Sequence, residues 1–200
     1  MLALSLLLVA GCTAPTRAAD PNADPAGFLG GTSLSRPYQM PDLTLTDTAG
    51  RAYNVTTSPS KPVTLMFFGY TNCPDVCIAV LADVAKTLQG VDPGVRDQIQ
   101  LVFVTTDPGR DTTMPIRQYL DRFDASFIGL TGSLSTIKTL AHQVGVDVEG
   151  MKKLPSGGYE VGHSAQVIGF DHTRGVVIWT PNTSIGDLEH DFTLLVDQSQ

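Results

Sequence analysis

Two stretches of the chain are apolar almost without a break, residues 61–70 (KPVTLMFFGY) and 99–107 (IQLVFVTTD). Runs of this length and continuity predict strands buried on both faces. After the first run, Val76, Val80, Leu81, Val84 and Leu88 recur at helical spacing as far as Gly90, which predicts a helix. TTMPIRQYLDRF (112–123) reads as a second helix with Pro115 near its start, and FIGLTG (127–132) as a short strand. SLSTIKTLAHQVG (133–145) reads as a third helix, with Ser133 as N-cap and Leu134, Ile137, Leu140 and Val144 as its apolar stripe. Between residues 42 and 55, Leu43 and Leu45 alternate with threonine, Ala49-Gly50 turns the chain, and Tyr53 and Val55 alternate again, the pattern of a hairpin. SAQVIGFDHTRGVVIW (164–179) predicts a second hairpin turning at Asp171 to Gly175, and SIGDLEHDFTLLVDQ (184–198) a closing helix. Strands alternating with helices in this order predict an α/β fold, a central mixed sheet flanked by helices.

The ends of the pattern divide the chain. MLALSLLLVAGC is apolar, and shorter than the roughly 20 residues needed to span a bilayer. It has the length of a signal-peptide core, and Leu8 to Cys12 resembles the bacterial lipobox. That resemblance implies cleavage before Cys12 and a diacylglycerol on its thiol, although no Lys or Arg precedes the apolar run. The expected organisation is a lipoprotein signal peptide over 1–11, a lipid-anchored flexible tether over 12–36, and one folded domain over 37–200. The tether is rich in Ala, Pro, Gly, Asp and Thr without periodicity, and would reach about 25 Å. The expected location is extracytoplasmic, anchored to the membrane as a lipoprotein.

Charge narrows the partners. A formal net charge of -7 and the lack of any Lys/Arg run argue against nucleic acid. Three cysteines become one anchor, Cys12, plus one pair, Cys73 and Cys77. The pair lies in GYTNCPDVC, where a buried strand gives way to a helix, which is the thioredoxin-like arrangement. Pro74 suits a first helical position, so Cys73 is expected as the last loop residue and Cys77 in the first turn. A helix N-terminus favours thiolates, the form that binds metal and attacks disulfides.

Three readings of the pair stand side by side. A structural disulfide suits an oxidising compartment, but so small a loop constrains the unfolded chain little. A redox dithiol usually has two residues between its cysteines, and here there are three. A metal clamp of two thiolates and one imidazole suits copper(I) and also copper(II), whereas structural zinc wants a fourth ligand. Of the four histidines, His142 is late in a helix, His172 sits in a hairpin turn, and His190 lies on a charged helix face. His163 differs, because it stands where a loop enters a buried strand. Met66 belongs to a buried strand, and Met40, Met114 and Met151 read as core or gap filling.

Four stretches in order resemble the Sco/SenC family of copper-binding proteins that assemble cytochrome c oxidase: FFGYTNCPDVC, TTDPGRDT (105–112), FIGLTG, and VGHSAQVIGFD (161–171). The resemblance spans roughly residues 38 to 197. It implies a thioredoxin-like fold with a hairpin inserted before the metal-binding histidine. It implies copper, as Cu(I) or Cu(II), held by Cys73, Cys77 and His163. It also implies delivery to the dinuclear copper site of oxidase subunit II, with a copper donor or a thioredoxin-like reductant as further partners. The alternative activity is a thiol–disulfide reductase that keeps that subunit's cysteines reduced, with Cys73 and Cys77 as the catalytic pair. Asp107, Arg110 and Asp111 are expected to shape the turn before the next helix. Gly162 stands where many members have aspartate, and Ile78 where a proline is common.

Overall fold

The computed structural model describes residues 23–153, 159–163 and 165–200. The signal segment expected over 1–11 and the lipidation expected at Cys12 lie outside the described residues. The elements run β1 (Thr32–Gln39), β2 (Thr44–Asp47), β3 (Ala52–Asn54), β4 (Val63–Gly69), α1 (Val76–Gly90), α2 (Pro93–Arg96), β5 (Ile99–Thr105) and α3 (Thr113–Leu120). They continue with β6 (Ile128–Thr131), α4 (Leu134–Gln143), β7 (Val148–Lys153), β8 (Tyr159–His163), β9 (Val167–Asp171), β10 (Arg174–Trp179) and α5 (Ile185–Gln198).

Eight strands form one mixed sheet in the order β1-β10-β9-β4-β5-β6-β2-β3, and β7 pairs with β8 apart from it. β4, β5 and β6 are parallel, joined by helical crossovers, while their neighbours β9 and β2 run antiparallel to them. β4 and β5 are buried along their whole length, as their unbroken apolar runs require. Alternate side chains of β4 go to opposite faces. Val63, Leu65 and Phe67 join the core made with α1, α3 and α5, and Met66 and Phe68 join the core made with α4. Ser133 and Ser184 cap α4 and α5 through their hydroxyls, which accept from Thr136 N–H and Asp187 N–H at 3.1 Å each. Leu134 departs from the expected α4 stripe: as the first helical residue it stays exposed, while Ile137, Leu140 and Val144 are buried.

The N-terminal boundary is corrected by the structure. The first five residues of β1 and the buried Phe28 fall inside the stretch expected to be tether. β1 is an edge strand on β10, mostly polar and interrupted by Pro37, with a register shift between Ser33 and Tyr38. Proline is tolerated on such an edge because no ladder partner is lost. The segment before β1 is held by Asp191 of α5. This fully buried carboxylate accepts from the N–H groups of Leu29 (2.7 Å), Gly30 (3.0 Å) and Gly31 (2.7 Å), and from the Trp179 indole (2.9 Å). His190 lies 3.0 Å from its other side.

Burial works to raise the Asp191 carboxyl. The contact with His190 and the donors from Leu29, Trp179 and Gly31 outweigh it and hold the group below the ordinary aspartate value. A depressed carboxyl contributes stability above its unfolded value, about 3.9, and loses it as pH falls through the lower folded value. Asp191→Ala, which strands the buried Trp179 indole and three backbone donors, should cost about 2–3 kcal/mol in urea denaturation at pH 7. Between pH 5 and pH 3 the wild type should lose more stability than Asp191→Asn. Equal acid limbs would show that the carboxylate is not the stabilising charge.

Candidate metal centre

Gly69 ends β4, and the chain turns at once, with Cys73 N–H donating to the Tyr70 carbonyl at 3.1 Å. α1 starts at Val76, two residues later than Pro74 suggests. The Asp75 carbonyl is the first acceptor of the helix, receiving Ile78 N–H at 3.0 Å and Ala79 N–H at 3.2 Å. Pro74 therefore shapes the approach to the helix and is not its first residue. Cys77 still falls in the first turn, and its N–H, a first-turn donor with no intrahelical acceptor, donates to the Cys73 sulfur at 3.4 Å. The two residues stand as thiols, and both are buried.

The Cys77 sulfur lies against the end of β4. A Cβ at Gly69 would come within 3.1 Å of that sulfur and 2.9 Å of the Phe103 ring, so only glycine lets the sulfur sit this close to the strand. The hydrogen bond with Cys73 and then burial push the Cys77 thiol up from its ordinary value. For this residue the expectation of a helix-stabilised thiolate is reversed. A fully buried sulfur next to a second sulfur gains more from keeping its proton than the helix terminus offers. Behind the pair lies Tyr119 of α3, its ring 5.9 Å from Phe103 and 5.4 Å from Phe123, with Arg122 4.6 Å above it. Burial, then the nearness of Cys77 and Cys73, push the Tyr119 hydroxyl up as well. The shell beneath the dithiol is thus aromatic, with Arg122 on its far side.

Asp111 holds the loop in place. Its carboxylate accepts from Thr71 N–H (2.8 Å), the Thr71 hydroxyl (2.6 Å) and the Thr105 hydroxyl (2.7 Å), and its carbonyl accepts from the Thr131 hydroxyl (2.9 Å). Sequence reasoning confined Asp111 to its local turn. The structure gives it a larger part, tying the residues before Cys73 to β5 and β6. Asp107 does shape the turn: its carbonyl accepts from Arg110 N–H (3.1 Å) and Asp111 N–H (2.9 Å), and its carboxylate pairs with the Arg110 side chain. Arg110 in turn lies over Tyr70, 5.9 Å from the ring centre.

His163 is the last residue of β8, in register with Val148 of β7. The hairpin expected ahead of it is therefore present, while the His163 side chain lies outside the described residues. Among the described residues no three His, Cys, Asp or Glu side chains group as a metal site. His142 is exposed in the last turn of α4. His172 occupies the hairpin turn at φ 53°, 2.9 Å from Asp171. His190 is exposed on α5, and its ring also contacts the buried Asp191. Met114, expected to fill space, is 67% exposed in the first turn of α3.

Removing the Asp111 carboxylate should loosen the dithiol loop before it affects the sheet. Asp111→Ala is expected to lower stability by about 2–4 kcal/mol. Amide exchange should rise first at Thr71 to Cys73. Uniform protection loss across β4 and β5 would show that Asp111 supports the core generally.

The SCO1/SenC family model matches residues 32–190. A protein of Stutzerimonas stutzeri described as copper-binding is 34% identical over 164 residues, covering 81% of this chain and 78% of its own. The human mitochondrial SCO2 homologue is 34% identical over 106 residues, which is 52% of this chain and 39% of that protein. Among solved structures, apo Sco1 from Thermus thermophilus superposes with a TM-score of 0.73 at 28% identity, covering 82% of this chain and 95% of that one. Copper-bound ScoI from Bradyrhizobium japonicum gives a TM-score of 0.65 at 28% identity, covering 78% and 95%.

Proposed function

The chain belongs to the SCO1/SenC family, and from that premise we propose that it is a copper carrier for the assembly of cytochrome c oxidase. In this reading Cys73, Cys77 and His163 hold the ion and release it to the dinuclear copper site of oxidase subunit II. The supporting observation is the adjacency of two buried thiols at a helix start, resting on an aromatic shell. Thiolates are soft donors that favour copper(I), and an imidazole lets the same site accept copper(II). Three protein ligands suffice for an ion that must leave by ligand exchange. A lipid on Cys12 and the segment before β1 would keep the domain near a membrane-embedded client, outside the cytoplasm.

A second reading has its own support. Cys73 Sγ accepts the Cys77 N–H, a contact that stabilises a thiolate at Cys73 and makes it the attacking sulfur of a thiol–disulfide reductase. Client cysteines would then be reduced while Cys73 and Cys77 form a disulfide. His163 separates the two roles, because a copper clamp needs it and a dithiol does not.

His163→Ala should weaken copper(I) binding about tenfold or more and abolish copper(II) binding, read by competition with a chromophoric chelator under anaerobic conditions. If affinity and oxidase assembly are both unchanged, the ligand assignment is wrong. Because Cys77 keeps its proton, copper uptake must expel it. Affinity should therefore fall as pH falls, about tenfold per pH unit for each proton released. Calorimetry in buffers of different ionisation enthalpy should count at least one proton, and fewer for Cys77→Ser.

A further inference from the structure

Tyr119 carries a hydroxyl that the fold leaves unused. The residue lies on the inner face of α3 with Ile116 and Leu120, and all three are at most 4% exposed. Its ring packs against Phe103 and Phe123, and a phenylalanine would pack there equally well. The oxygen is the exception, because among the described residues nothing donates to it or accepts from it. A buried hydroxyl without a partner destabilises the folded state. Its presence points to another state of the site in which a partner exists. The charges that act on this oxygen identify that partner: Cys77 comes first and Cys73 second, ahead of Arg122 and Asp111. The packing agrees. The Cys77 sulfur and the Phe103 ring crowd one point, 3.1 Å and 2.9 Å from where a Gly69 Cβ would stand, and the Tyr119 ring adjoins Phe103.

We propose that Tyr119 is a positioning residue of the dithiol, its hydroxyl donating to the Cys77 sulfur once that sulfur is a thiolate ligand. In the reduced pair the Cys77 thiol is engaged with Cys73, and a neutral thiol is a weak acceptor. When copper(I) binds, the sulfur–hydrogen bond of Cys77 breaks and the proton leaves to solvent. The electron pair stays on sulfur and forms the bond to the ion, with no change of oxidation state. The sulfur is then a charged acceptor, and hydrogen bonds to charged acceptors are the strong ones. Tyr119 keeps its own proton, because burial and the neighbouring sulfurs push its hydroxyl up, so the donor is always present. Arg122, 4.6 Å above the ring, polarises the phenol and makes it a better donor. α3 begins two residues after Asp111, whose carboxylate holds Thr71 ahead of Cys73. The anchor of the loop and the donor to its second sulfur therefore lie on one short stretch of chain.

The proposal rests on reading the pair as thiolate ligands, and the test keeps its failure apart from failure of the copper reading. Tyr119→Phe removes the oxygen and keeps the ring. In the metal-free reduced protein this variant should resist urea as well as the wild type or better, since a stranded hydroxyl is gone. A loss of stability would show the hydroxyl already partnered in the unloaded state and overturn the proposal. Copper(I) affinity at fixed pH, read by competition with a chromophoric chelator, should fall about tenfold. The direct signature is the tyrosine Fermi doublet in ultraviolet Raman spectra, which reports whether a phenol donates. Loading should change the doublet in the wild type and leave it unchanged in Tyr119→Phe, which retains the other tyrosines. Mercury(II), which an adjacent pair of thiols takes up without a third ligand, gives the same comparison outside the copper reading. An unchanged doublet on loading with mercury(II), or equal copper(I) affinity in the two proteins, would overturn the role of Tyr119. A doublet change with mercury(II) in a protein that takes up no copper sinks only the copper reading and leaves Tyr119 as the donor to the pair.

Discussion

The dithiol loop is short and leaves the sheet through a tight turn, and a buried carboxylate forty residues later fixes its path. Asp111 accepts from the backbone and side chain of Thr71 and from Thr105, while its own carbonyl holds Thr131. One residue thus joins the loop before Cys73, the end of β5, the approach to α3, and β6. With this anchor in place the Cys73 and Cys77 sulfurs face each other at the start of α1. A buried charge is costly unless every lone pair finds a donor, and three donors here converge on the carboxylate. The geometry of the site therefore depends on tertiary packing as much as on the spacing of its cysteines.

Beneath the sulfurs the surroundings are apolar. Gly69 lets Cys77 approach the strand, Phe103 closes one side, and the Tyr119 ring lies tilted beyond it. Such surroundings favour neutral states, so the Cys77 thiol keeps its proton until something better replaces it.

Much of the fold was legible because burial writes itself plainly in continuous apolar runs. β4 and β5 needed no more than that, and Ser133 and Ser184 marked two helix starts by their side-chain chemistry. β1 was not legible. Its polar composition and Pro37 resemble a linker, and only pairing with β10 makes it a strand. The β7–β8 hairpin was expected through family resemblance, without any clear alternation in VEGMKK. At the site, the cysteine spacing was visible, but the reach of Asp111 was not, since a turn-forming aspartate and a loop anchor look alike in sequence. Gly69 and Tyr119 were missed for the same reason: their importance lies in what folds against them. The upward push on the Cys77 thiol could not be read from a helix N-terminus either, because the hydrogen bond with Cys73 and then burial oppose the helix.

The clamp on Asp191 has a mechanical consequence. Leu29, Gly30 and Gly31 bind one carboxylate of α5, just ahead of the strand that continues along the sheet edge. Any tension entering through the chain before Leu29 meets this knot first. Three backbone bonds there must yield in concert before the β1–β10 ladder is loaded. Gly30 also packs against Thr183 and Asp187, which extends the clamp to the start of α5. Load entering from the N-terminal side therefore meets α5 before it meets the sheet edge.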